Sequence, residues 1–491
     1  MSMNKMAILL ACISWIALSN AYASDEIKVI PEEVLRYQEV FFHFYRKDEF
    51  NALINLKNGI EQKKIFDNAY ANKLLLGSLQ SSYGLDQLAE KSLINVTKNS
   101  RNKRQKSIAE FYMAKQMFEN ENYDGFEKVV NRVGQSLPKS MLNEYHYMKG
   151  IYYIQKEKLK KAEAELEQIA KDSEWRKYLA FNLGASYIKN KSDREGVRFL
   201  SSSGSGSPKS EKLLSLRDKA NIVLGYYYIR LEIPKKAIRH FEKVRLEGAF
   251  SNKALLGLGW AYLQLKQYRN ALVPWLALSE GNMLDVTVQE ARLASGFAYK
   301  QLGAEKKAMV FYQSSINEYE KVKKVFQDEI STAFSENIFS SYLSHNGIDD
   351  YSVTKKLSER MDSNKGFLIV DLLKTEKFQK MFNEYRDLKQ LQAKIVEWED
   401  MLGKMQLSYD VRYSSQDMAM APDGSSYDEK LLTLGDKINL QRNRLNILVG
   451  MYEEKIRNSF VQALTRKQQY LVAYLSQARF AYAEILDSVN K

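Results

Sequence analysis

The sequence holds a single cysteine in 491 residues, Cys12, and it lies in an apolar stretch near the N-terminus. A chain that loses this stretch keeps no thiol. Disulfides, a thiolate nucleophile and cysteine-ligated zinc are then excluded. Histidine is nearly as scarce. His43, His146, His240 and His345 are scattered, none with another histidine or a cysteine at metal-ligand spacing. No glycine-rich phosphate loop appears, because Gly204 and Gly206 sit in a serine run rather than between a strand and a helix. No Gly-x-Ser-x-Gly elbow with a plausible triad is present. Glu163, Glu165 and Glu167 cluster on a lysine-rich helix and read as a solvated face. Paired carboxylates for glycoside cleavage stay open from sequence alone. The reading is a non-enzyme with no cofactor and no metal.

The first 23 residues read as a signal peptide. Lys5 supplies the positive start, Met6 to Leu18 are almost all apolar, and Ala21-Tyr22-Ala23 is a small-x-small cleavage site followed by Asp25 and Glu26. The expectation is export and a mature chain beginning at Ser24. Two alternatives are an uncleaved anchor and a lipoprotein box at Leu9-Leu10-Ala11-Cys12, the latter weakened by the few apolar residues before it. What remains is too long for one compact core. The formal charge is +13, with basic blocks at residues 98–106 and 156–161. Export argues against nucleic acid, and Lys and Arg are interspersed with Asp and Glu, so the charge reads as a solvated face.

A repeat is legible by spacing. A small residue is followed twelve later by another, and four beyond that by a bulky apolar residue: Gly77, Ala89, Leu93; Gly150, Ala162, Leu166; Gly184, Gly196, Leu200; Gly225, Ala237, Phe241; Gly259, Ala271, Trp275; Gly296, Ala308, Tyr312. A weaker set is Ala114, Phe126, Val130. The leading residues step by 37, 36, 34, 41, 34 and 37. Tyrosine recurs three after the glycine at Tyr153, Tyr187, Tyr228, Tyr262 and Tyr299. The small residues let two helices approach and the bulky one fills the space beside them. Over residues 70 to 320 this resembles the tetratricopeptide (TPR) repeat family, although the leading tryptophan is absent and the closing proline mostly missing. The 41-residue step is assigned to a flexible insertion, residues 201–208. Residues 24–70 read as a degenerate cap in which Val40, Ala52 and Leu56 copy the spacing.

The C-terminal third breaks the pattern. Residues 321–365 read as additional helices. From 366 a heptad seam begins, with Leu391, Ile395, Trp398, Leu402 and Met405 stepping by 4, 3, 4 and 3. Residues 408–426 are polar, contain Pro422-Asp423-Gly424, and read as a loop. Apolar spacing resumes at Leu431 and runs to Ile485 without a proline. The expected fold is all-α: seven TPR-like repeats over 71–320, then a long antiparallel coiled-coil hairpin over 366–491. The second hairpin helix is the longer. Its tail must pack on the repeats, on another subunit or on a partner.

TPR arrays coil so that the first helix of each pair lines a concave face. The resemblance therefore places Ile151, Ala185, Tyr226, Trp260 and Phe297, each one after a leading residue, in a groove edged by Arg230 and Lys300. Tyr226, Arg230, Trp260, Phe297 and Lys300 form the candidate partner groove. The competing reading packs these rings against neighbouring repeats or the hairpin. The function implied by the resemblance is a periplasmic scaffold or adaptor in a Gram-negative envelope complex of the secretion, export, energy-transduction or motility type. Its partners would be proteins, with no integral membrane span and with self-association through the hairpin as one option. Alternatives are a periplasmic chaperone or glycan-binding module, and last an enzyme on an α-solenoid.

Overall fold

The computed structural model describes residues 32–46, 48–65, 70–134, 136–208, 210–333, 363–412 and 427–489. The expected signal peptide, its cleavage site and Cys12 lie outside them, as do residues 334–362 and 413–426. Every regular element among the described residues is an α-helix. Helices pair in sequence: α1 (Glu32–Tyr45) with α2 (Glu49–Glu61), α3 (Tyr70–Ser82) with α4 (Asp86–Asn99), α5 (Lys103–Glu119) with α6 (Tyr123–Val130), α7 (Lys139–Gln155) with α8 (Leu159–Gln168), and α9 (Glu174–Lys189) with α10 (Asp193–Ser203). There follow α11 (Glu211–Arg230), α12 (Pro234–Phe241), α13 (Ser251–Gln264), α14 (Tyr268–Ser279), α15 (Val286–Gln301), α16 (Glu305–Thr332), α17 (Asn364–Leu373), α18 (Glu376–Arg412) and α19 (Tyr427–Val489). The chain divides into two compact units, residues 1–224 and 225–491.

The backbone repeats in step with the sequence. Seven residues after each leading position the chain turns through a left-handed residue: Gly84, Glu121, Glu157, Lys191, Glu232, Lys266 and Gly303, with φ between 56° and 82°. The next N–H then reaches back five residues to close the helix end. Lys158 donates to the Tyr153 carbonyl at 2.8 Å, Ser192 to Tyr187, Ile233 to Tyr228 and Gln267 to Tyr262 at 2.9 Å, and Ala304 to Tyr299 at 3.0 Å. The recurring tyrosine thus carries the acceptor that ends the first helix of its repeat. Most of these turn residues carry a side chain, at a cost of about 1–2 kcal/mol each, which helix pairing offsets.

The triplets mark where the paired helices touch. Ala89, Ala162, Ala237, Ala271 and Ala308 are each fully buried. A Cβ added to Gly77, Gly184, Gly225, Gly259 or Gly296 would collide with Leu93, Leu200, Phe241, Trp275 or Tyr312, the residue sixteen positions on. Gly150 departs from the expected triplet. Its tight neighbour is Leu179 of α9, not Leu166, so here the glycine admits the next repeat's first helix. The expected insertion at 201–208 is also shorter than read. Residues 201–203 belong to α10, and the buried Ser203 hydroxyl donates to the Lys177 carbonyl. The polar run continues the helix because Leu200 and Ser203 share its buried face.

The hairpin begins later, and its first helix ends later, than the sequence suggested. Residues 364–373 form the separate helix α17, closed where the Thr375 hydroxyl bonds the Leu372 carbonyl at 2.7 Å. Helix α18 then runs through Arg412, past the expected loop start at 408. It lies antiparallel to α19. The Tyr385 hydroxyl donates to Glu453 Oε1 and Gln392 Nε2 to Asn446 Oδ1, both at 2.8 Å, and Glu399 pairs with Arg442 at 3.0 Å. Asp371 of α17 meets Lys467 of α19 at 2.6 Å. Burial raises the Asp371 carboxyl, but Lys467 and Lys374 outweigh it and hold the group below its ordinary value.

The hairpin is not separate from the repeats. One core runs from Tyr312, Tyr319, Val322 and Phe326 of α16 through Phe367 and Tyr385 to Phe460, Leu471, Leu475 and Ile485 of α19. Of the three options open for the hairpin's longer helix, packing on the repeats is the one seen, since α16 buries a face under α19.

His240 of α12 supplies a pH handle on the second unit. Its ring stacks on Tyr228 with centroids 5.5 Å apart. Burial, with the Lys243 charge adding to it, pulls the imidazole down to about 4. The unfolded chain takes up this proton first, near its ordinary value of 6.5. The stability gained from a neutral His240 is therefore whole above about pH 6.5 and lost as pH falls towards about 4. The urea midpoint is expected to drop between about pH 7 and about pH 5, and His240→Phe to shrink that drop. An equal drop in both proteins would remove His240 from the account.

Candidate partner-binding surface

The five residues expected to form a groove all lie in the second unit. Three helices present them: residues 225–230 of α11, then α13 and α15. Tyr226 stands edge-on against Phe241 at 5.1 Å, and its hydroxyl donates to the Lys253 carbonyl at 2.9 Å. Burial lifts that hydroxyl above its ordinary range. Trp260 stands edge-on against Trp275 at 5.1 Å, and its Nε1 donates to Glu290 Oε1 at 2.9 Å. Both rings are half-buried. Lys300 pairs with Glu484 of α19 at 2.7 Å. Phe297 is 40% exposed, and Arg230 is exposed above Tyr227 at 5.6 Å. The structure thus engages Tyr226, Trp260 and Lys300 in packing and pairing, and leaves Phe297 and Arg230 at the surface.

Glu290, absent from the sequence reading, explains the arrangement. Its Oε1 accepts from Trp260 of α13, and its Oε2 accepts from the Tyr474 hydroxyl of α19 at 3.0 Å. One carboxylate therefore ties α13, α15 and α19 together. Arg479 of α19 also pairs with Glu320 of α16. Helix α19 packs on α16 and α15 in the way α15 packs on α14 and α13. Its C-terminal half stands where the first helix of a further repeat would stand. The apolar spacing of this tail required it to pack on the repeats, another subunit or a partner, and without a glycine triplet it did not say which.

The open surface lies along the other half of α19, where it pairs with α18. Ile395, Ile438, Leu445 and Val449 are buried in the seam. Towards the loop the seam opens. Trp398, Met401 and Met405 are 40%, 52% and 48% exposed, and Leu434 is 44% exposed. With Ile395, Leu402, Ile438, Lys437 and Gln441 they line one groove of about 270 Å³. The heptad spacing identified Trp398 and Met405 as seam residues. Two helices alone cover only one side of such a seam, so the far side of each ring and thioether stays in water. An open apolar groove between two helices has the form that a third amphipathic helix fills.

Neither a protein-family model nor a curated protein sequence matches the chain. Solved structures do. A tetratricopeptide repeat protein from Parabacteroides merdae is similar at 16% identity over 54% of this chain and 98% of that one, with a TM-score of 0.34. The C-terminal part of a TPR repeat-containing protein from Cytophaga hutchinsonii is similar at 16% identity over 52% of this chain and 98% of that one, also at 0.34. The apo form of RapI is similar at 13% identity over 70% of this chain and 94% of that one, at 0.36. These superpositions are loose. The helical repeat itself rests on the glycine register and the left-handed turns.

Proposed function

We propose that this protein is a binding adaptor whose repeats hold a rigid hairpin, and that the open hairpin groove takes an amphipathic helix of a partner protein. The observation that carries this reading is the groove between Trp398, Met401 and Met405 of α18 and Leu434 and Ile438 of α19. A helix laid there would convert an open two-helix seam into a closed three-helix one. Lys437 at its rim favours an acidic residue beside the partner's apolar stripe. Methionine adapts to an irregular apolar partner. A glycan would need convergent polar groups, which Leu, Ile and Met do not supply, so the adaptor reading is favoured over the glycan-binding one. The apolar N-terminal segment with its Ala21-Tyr22-Ala23 site supports placing this adaptor in the cell envelope of a Gram-negative bacterium.

The test is Trp398→Asp combined with Met401→Asp in the full-length chain. Met401 is 52% and Trp398 40% exposed, so a melting curve first establishes that the double variant stays folded, and Met401→Asp alone serves where it does not. Crosslinked envelopes should lose a stoichiometric partner that the unaltered protein retains. An unchanged crosslinking pattern contradicts the reading. If the lost species is a dimer of this chain by light scattering, the groove serves self-association instead.

A further inference from the structure

One edge of the first unit carries a cluster of exposed cations that make no ion pair among the described residues. The α4-to-α5 turn and the α6-to-α7 connection join successive repeats and lie side by side. A Cβ added to Gly134 would come 2.8 Å from Ser107 Oγ. Arg132 of the second connection and Lys106 in the first turn of α5 both act on Glu110. Lys98, Arg101, Lys103, Arg104, Lys128, Arg132 and Lys139 are all exposed on this edge. No acidic residue lies between Glu90 and Glu110, nor between Glu127 and Glu144. Among the described residues none of the seven is in an ion pair.

Local structure accounts for two of them. Lys98 and Lys128 lie in the last turns of α4 and α6, where the helix dipole favours a cation. Lys103, Arg104 and Lys139 lie in the first turns of α5 and α7, where it opposes one. Five of the seven are favoured by neither a helix dipole nor an ion pair, and three of these lie against a dipole, which breaks a local rule with no gain to the fold. Such breaks point to a use outside it.

We infer that this edge docks on an anionic phospholipid surface. The cations are long, exposed side chains, spread over the two connections and the helix ends that flank them. That suits a flat array of phosphates. No aromatic side chain stands among them in residues 98–106 to stack on a nucleotide base. The hairpin groove lies in the other unit, so this inference and the adaptor reading stand or fall separately.

The experiment is co-sedimentation of the full-length protein with vesicles of phosphatidylglycerol and phosphatidylcholine, against vesicles of phosphatidylcholine alone. Binding is expected only to the anionic vesicles and is expected to fall at high salt. Each cation at an anionic surface contributes about fivefold in affinity. The variant Arg101→Glu, Lys103→Glu, Arg104→Glu should therefore bind about 100-fold more weakly or worse. A second variant, Arg132→Glu with Lys139→Glu on the neighbouring connection, should also weaken binding. It decides the matter if circular dichroism shows the first to be unfolded. Equal binding to both vesicle types overturns the inference, and so does undiminished binding by folded variants. Retention on immobilised polyglutamate without vesicle binding assigns the edge to an acidic polypeptide and overturns it too.

Discussion

Gly259→Leu is expected to unfold the repeat built from α13 and α14, with a loss well above the usual range for a single substitution. The glycine lies on α13 against the indole of Trp275, which is fully buried and donates from Nε1 to the Leu256 carbonyl at 3.1 Å. Even a methyl group there would stand 2.0 Å from the indole nitrogen. The indole cannot yield, because Ala271, Leu278 and Ala291 pack around it in the same core. Overpacking costs about 1–3 kcal/mol where neighbours can shift. Here the loss of the Trp275 contacts adds about 3–5 kcal/mol. Thermal melting of Gly259→Leu measures the effect. The control is the double variant Gly259→Ala with Trp275→Leu, which removes the ring that a methyl would strike. It should be more stable than Gly259→Ala alone, the coupling expected of two residues in direct contact. A harmless Gly259→Leu would mean that the helical phase assigned to the repeats is wrong.

The repeats were legible because close approach of two helices leaves a mark at every turn of the pattern. Only glycine or alanine fits at the contact, and the filler sits at a fixed distance along the chain. Gly225 with Phe241 and Gly296 with Tyr312 show the rule at its plainest. The left-handed turns were not legible. Glu232 and Lys266 occupy a conformation that favours glycine, held there by the pairing of the helices they connect. The hairpin seam was read from its heptads, but not its break at Lys374 or its opening near Trp398. Spacing tells which residues face a partner and not whether the partner reaches that far. The role of Glu290 was hidden for a related reason. Its two oxygens join Trp260 to Tyr474, which is 184 residues away from it, and nothing local in the sequence links them. The groove residues show the same limit. Position placed Tyr226 and Trp260 on the first helices of their repeats, while their bonds to Lys253 and Glu290 depend on the neighbouring repeat.

The second large effect concerns the joint between repeats and hairpin. A chain ending at Ala333 is expected to lose the order of its last repeat. Tyr319 and Phe326 are fully buried and Val322 nearly so, in the core that α16 shares with α19. Each such side chain is worth about 1.5–3 kcal/mol when buried, so exposing three removes roughly 5–9 kcal/mol. That is comparable to the whole stability of a typical domain. The Tyr474 bond to Glu290 and the Lys300 pair with Glu484 are lost with it. A repeat array normally needs a polar cap at its end, and here the C-terminal half of α19 is that cap. Hydrogen exchange across residues 286–332, compared between the chain ending at Ala333 and the full-length protein, tests this most directly. Full-length protein should protect α15 and α16 together with residues 471–485 of α19, and the truncated chain should exchange rapidly throughout α16. Slow exchange of α16 in the truncated chain would contradict the account, because the repeats would then close without α19.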